Sequence, residues 1–152
     1  CCCRTPGGYC YPGTKNGAIY KYRQKITCKA LSDGILSDGG KAVPRDTAIS
    51  GQPFSGHYIA LMARPESCIK GHCYEADFHV LRKDSSGTWS WKHPGMPATN
   101  RDLFGALVTD PEAAALQGSY QLCGYFRVEP QKVSGTAVLG TGVVGVLWGG
   151  RG

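Results

Sequence analysis

His79 stands on the run Asp77-Phe78-His79-Val80-Leu81-Arg82-Lys83, with a carboxylate two positions before it. A thiol, an imidazole and a third polar group are the parts of a Cys–His hydrolase. The thiol is activated to thiolate, the imidazole takes its proton, and the third group orients the ring. Four cysteines come early: Cys1, Cys2, Cys3 and Cys10. The expected roles are His79 as base, Cys10 as nucleophile with Cys3 behind it, and Asp77 as orienting group. The target would be a peptide or amide bond. The competing reading is an imidazole that hydrogen-bonds inside a β-rich core. Pro6, Gly7, Gly8, Pro12 and Gly13 break any helix around the early cysteines, so the nucleophile would sit on irregular chain.

The elements that must position these groups are strands. Side chains alternate with period 2, so Phe78, Val80 and Arg82 share one face and His79, Leu81 and Lys83 the other. Asp84-Ser85-Ser86-Gly87 reads as a turn, with Gly87 free to take a positive φ. The return strand is expected over 88–92, with Trp89 and Trp91 on one face. His57 to Ala63 is an apolar run of strand length, and Tyr120 to Val128 an aromatic-rich central strand. Ile26, Ala30, Leu31 and Ile35 fall at helical spacing between Lys25 and Leu36, with Asp33-Gly34 as a weak point. Residues 41–56 read as a polar loop and 94–112 as mostly turn. The expected fold class is α+β, a small single domain with an antiparallel sheet formed by 57–63, 77–83, 88–92 and 120–128.

The composition fits that class. Charged residues are 18% and glycines number 22, which favours a loop-rich domain over a helical bundle. The net charge of +6 is spread along the chain, and Lys21-Tyr22-Arg23-Gln24-Lys25 is a solvated strand edge as readily as a phosphate contact. No nucleic-acid partner is expected. Eight cysteines in a chain this short suggest disulfides and an extracellular or cell-surface setting. Cys68 and Cys73 are the most local pair, expected within about 4.4–6.8 Å between Cα atoms. Cys28 and Cys123 are either bridged or buried thiols. Cys68, His72 and Cys73 are soft ligands too, but no second pair completes a zinc set, so no metal and no cofactor are expected.

The last segment differs in kind. Residues 1–132 read as a globular Cys-rich domain and 133–152 as an apolar Gly/Val-rich tail. Val138, Val143, Val144, Val146, Leu147 and Trp148 sit there with almost no charge. Left free, such a segment is an apolar liability, so a homo-oligomer through residues 133–152, up to a filament, is expected. The rival function is therefore a non-catalytic, disulfide-stabilised extracellular structural subunit. An amino-terminal cysteine also carries the lipid in bacterial lipoproteins, so membrane contact is expected only with a lipid anchor at Cys1.

One longer pattern joins these residues. Asp77-Phe78-His79-x-x-Arg82-x-Asp84-x-x-Gly87-x-Trp89-Ser90-x-Lys92-x-Pro94-Gly95 is followed by Asn100-x-Asp102, Thr109-Asp110-Pro111 and Tyr120-x-x-Cys123-Gly124-Tyr125-Phe126. It resembles a family of small, largely uncharacterised bacterial proteins, well over 77–126 and loosely over 12–128. The family's first segment carries an Asn-Cys-Tyr element. Here Tyr9 stands where Asn would, Cys10-Tyr11 keeps the other two residues, and Pro12 follows at once. Trp91 and His93, flanking Lys92, also depart from the pattern. The resemblance implies a papain-like Cys–His hydrolase fold, and the tail after 132 lies outside it.

Overall fold

Thr27 opens the first helix because its extended backbone lets the side-chain oxygen accept a hydrogen bond from Ala30 N at 3.2 Å. The computed structural model describes residues 12–13, 26–52, 54–69, 71–93, 96–116 and 120–129. Helix α1 runs Cys28–Ser37 and buries Leu31 and Ile35, two of the positions expected from helical spacing. Gly34 is tolerated inside it and is itself buried. Replacing Thr27 by alanine leaves one helix N–H without its cap and is expected to cost about 1 kcal/mol, read as a lowered urea midpoint at unchanged slope.

After α1 come β1 (Lys41–Val43), α2 (Arg45–Ser50) and β2 (His57–Arg64). Next in the chain are β3 (Ser67–Ile69), β4 (His72–Tyr74), β5 (Asp77–Lys83), β6 (Trp89–Ser90) and β7 (Gln121–Val128). Five strands form one sheet in the order β1-β7-β2-β5-β6, and β3-β4 form a separate two-stranded sheet. All strand pairings among the described residues are antiparallel. With two short helices of ten and six residues, the domain is mostly β, and the expected α+β class is corrected to that extent. The second face is covered by α2 and the 96–116 segment rather than by a long helix.

Strand β2 lies at the centre and is buried on both faces. Ile59, Leu61 and Ala63 pack with Leu31, Ile35, Phe126 and Val128 under α1. Ala60 and Met62 pack on the other side with Leu81, Trp89, Trp91, Val108 and Tyr125. His79 stands directly opposite Met62 and two residues before Leu81, so it belongs to this second face. The β5–β6 turn forms as expected: Gly87 has φ 84°, its N–H donates to Asp84 O at 3.0 Å, and Asp84 N donates to Thr88 O at 2.8 Å.

The structure departs from further expectations. The return strand ends at Ser90, because Trp91 exchanges backbone hydrogen bonds with Thr99 instead of with β5. The stretch read as a polar loop over 41–56 contains β1 and α2; β1 is largely exposed and exists by pairing with β7 rather than by apolar burial.

Cys68 and Cys73 are bonded, with Cα atoms 4.0 Å apart, closer than the expected range. Cys28 and Cys123 are bonded as well, tying the start of α1 to β7 across 95 residues of chain. A β-bulge makes this second bridge possible. Leu61 faces Gly124 while Met62 faces Leu122, so Cys123 is the extra residue. Strict alternation would put Cys123 beside Tyr125, on the face away from α1. The bulge turns it toward α1 and Cys28. Among the described residues, no helix is long and apolar enough to cross a membrane.

Candidate functional site

The site grows from one end of the β2–β5 ladder. Arg64 and Asp77 are register partners at that end, and both project to the face that carries His79. The register alone therefore places a guanidinium, a carboxylate and an imidazole in one neighbourhood. Tyr120, just before β7, adds a phenol whose O–H donates to Asp77 Oδ2 at 2.6 Å. Asp77 Oδ1 accepts from Phe78 N at 2.8 Å. Both carboxylate oxygens are thus engaged, and Asp77 acts on His79 through its charge.

His79 is held by rings. Tyr120 lies 4.5 Å from it between centroids, Trp91 5.3 Å in an edge-on arrangement, and His93 6.2 Å. Trp91 is fixed in turn, since its Nε1–H donates to Arg101 O at 3.0 Å. Arg64 lies over the Tyr120 ring at 5.0 Å and near the Tyr74 ring at 5.8 Å. Its Nη2 also donates to Glu75 O at 3.2 Å. The chain is folded so that the Asp77–Tyr120 hydrogen bond presses a ring against His79.

His79 is 4% exposed, and its Nε2 is buried with no hydrogen-bond partner among the described residues. Burial pushes the imidazole pKa down. Asp77 opposes that shift, while His93 and Arg64 reinforce it. Tyr120 is pushed well above its ordinary range, first by burial and then by the hydrogen bond to Asp77, so it stays a neutral donor. The result is a neutral imidazole with an uncommitted ring nitrogen, the protonation state a general base requires.

A stability signature results. The folded pKa lies below the ordinary 6.5, so the unfolded chain takes up the proton more readily. His79 therefore weakens folding at acid pH, and the penalty fades as pH rises through the window between the lowered folded value and 6.5. His57 is lowered in the same direction by partial burial and by Arg82. The stability difference between wild type and His79→Leu isolates His79. It is expected to be flat above about pH 7 and to grow in favour of the variant as pH falls. Urea midpoints from about pH 5 to about pH 8 check this; an unchanging difference would mean that the imidazole titrates alike in the folded and unfolded chain.

The other expected site residues, Cys10 and Cys3, lie outside the described residues, as do Cys1 and Cys2. The structure brings His79 and Asp77 into one cluster without a hydrogen bond between them. Tyr120, Trp91 and Arg64 were not expected there. The one sequence signal for Arg64 was its place at the end of the apolar run; Tyr120 and Trp91 read simply as strand aromatics. Among the described residues, no group of three His, Cys, Asp or Glu side chains is arranged to hold a metal ion.

A concavity of about 700 Å³ lies toward the other end of the ladder, lined by residues that include Phe54, His57, Tyr58, Arg82, Lys83 and Asp84. Its cations are already engaged. Arg82 pairs with Asp84 at 3.0 Å, and Lys83 Nζ donates to Ile49 O and Gly51 O. Asp84 also accepts from Ser90 Oγ. No protein-family model, curated protein or solved structure matches the chain.

Proposed function

We propose that the chain is a secreted or surface-associated Cys–His hydrolase that cleaves a peptide or amide bond with His79 as its base. The observation that carries this reading is the buried, unpartnered Nε2 of a neutral His79. An orphaned buried nitrogen costs about 1–3 kcal/mol; Arg64 Nε and Trp89 Nε1 are orphaned as well among the described residues, but they are donors, whereas the imidazole nitrogen can accept a proton, as a base must. The two disulfides support the extracellular setting. They also engage Cys28, Cys68, Cys73 and Cys123, so the nucleophile belongs to the early cysteines, with Cys10 and Cys3 as candidates.

The steps are those of acyl transfer. The thiol proton passes to His79 Nε2, and the thiolate attacks the carbonyl carbon. The imidazolium returns the proton to the leaving amine, and water then releases the acyl group. Tyr120 and Trp91 hold the ring by packing, and the Asp77 charge favours the imidazolium as it forms. Gly13 N–H donates to Asp38 at 2.6 Å, at the C-cap of α1, the helix that covers the face opposite His79.

The test is site-resolved alkylation across pH. One early cysteine should react far faster than an ordinary thiol near neutral pH and lose that advantage in His79→Leu. Uniform slow reaction of all four sinks the proposal.

A second reading is a non-catalytic extracellular subunit that self-associates through residues 133–152, which lie outside the described residues. It is favoured by the enclosure of His79 among Trp91, Tyr120 and His93. Sedimentation of the full chain against one ending at residue 132 separates the two readings.

A further inference from the structure

We propose that the Cys68–Cys73 bridge is an exchangeable disulfide, open to attack by dithiols, and that its opening is transmitted through Arg64 to His79. This does not rest on the hydrolase reading. Cys68 and Cys73 face each other in the β3–β4 sheet, which makes no ladder with the main sheet. Both cysteines are exposed, as is every residue of β4. Each strand is three residues long. An isolated two-stranded ribbon is marginal in water, so once the bridge is reduced only the short chain between the two cysteines keeps the thiols near each other. Opening the ribbon releases them from their facing geometry, and their exposure leaves the bond within reach of a thiolate. Exposed bridges of this kind are the labile ones.

The other bridge is built differently. Cys28 and Cys123 are half-buried, and in the folded domain the packing of Leu31 and Ile35 on the sheet holds α1, and with it Cys28, beside Cys123. As long as the domain stays folded, reduction there leaves the thiols facing each other and ready to reclose.

In the exchange, a thiolate of the dithiol attacks one sulfur of the bridge, the S–S bond breaks, and the other cysteine leaves as a thiolate and takes up a proton. The second thiol of the reagent then displaces the mixed disulfide. The bridge gains two electrons, the dithiol loses two, and the reagent departs as its own disulfide.

The link to the site is short. Tyr74 and Glu75 follow Cys73 directly, and both touch Arg64, through the ring at 5.8 Å and the carbonyl at 3.2 Å. Arg64 lies over Tyr120, whose ring packs on His79. Opening the ribbon releases two of the contacts that fix the guanidinium.

The experiment equilibrates the full chain with graded ratios of reduced to oxidised dithiothreitol, quenches with N-ethylmaleimide and reads each cysteine by peptide mass spectrometry. Cys68 and Cys73 should label at a ratio about tenfold or more below that needed for Cys28 and Cys123. The His79 imidazole resonances, followed in the same samples and in a Cys68→Ser/Cys73→Ser variant, should shift with that first step. Opening of both bridges together, or of Cys28–Cys123 first, overturns the exchange site. Selective opening with unmoved His79 resonances overturns the link. Neither result bears on the alkylation test of the early cysteines, so failure here and failure of the hydrolase reading remain distinguishable.

Discussion

Replacing His79 by leucine is expected to remove the reactivity of the early thiol while leaving the domain as stable as before or slightly more so. The two effects have one cause. Nε2 is buried without a partner among the described residues, a penalty of about 1–3 kcal/mol that leucine does not carry. Leucine has similar bulk and lies opposite Met62 and beside Leu81 on an apolar face. It forfeits the ring contacts with Tyr120 and Trp91, worth about 0.5–1.5 kcal/mol each. The terms nearly cancel, so urea stability near neutral pH should stay within about 1 kcal/mol of wild type. Loss of a positioned base lowers rates by about 10²–10⁴-fold, read as hydrolysis of an activated ester and as alkylation of the early cysteines. A variant that loses several kcal/mol with unchanged thiol reactivity would make His79 a core residue and nothing more.

Much of this site's scaffold was legible in the residues. Period-2 alternation placed His79 with Leu81 and apart from Phe78 and Val80, and the packing follows that division. Asp84-Ser85-Ser86-Gly87 carried its turn chemistry openly. The neighbours of His79 were not legible, because they depend on register. Arg64 meets Asp77 only because Met62 pairs with His79, and no local pattern fixes that alignment. Tyr120 and Trp91 both come from beyond β5 in the chain, Trp91 after leaving its strand to pair with Thr99. The segments β1 and α2 were missed for a related reason. The residues of β1 are largely exposed and its structure is decided by pairing with β7, while α2 is six residues long and buries only Ala48.

The same limit governs the disulfides and sets the second large effect. Cys68–Cys73 could be read from spacing, whereas Cys28–Cys123 depends on a bulge that reverses the facing of Cys123. The bridge that was harder to read should matter more to stability. A cross-link stabilises chiefly by restricting the unfolded chain, and the restriction grows with the loop it closes. For the 95-residue separation of Cys28 and Cys123 this amounts to about 4.7 kcal/mol, and for the 5-residue separation of Cys68 and Cys73 to about 2 kcal/mol. Small domains have about 5–15 kcal/mol in total. Cys28→Ser/Cys123→Ser is therefore expected to leave the domain near its unfolding threshold, and Cys68→Ser/Cys73→Ser to leave it folded with a modestly lower urea midpoint. Urea titrations of the two variants beside wild type measure the order directly. The reverse order would mean that the unfolded chain already keeps residues 28 and 123 near each other, so that the bond between them removes little freedom.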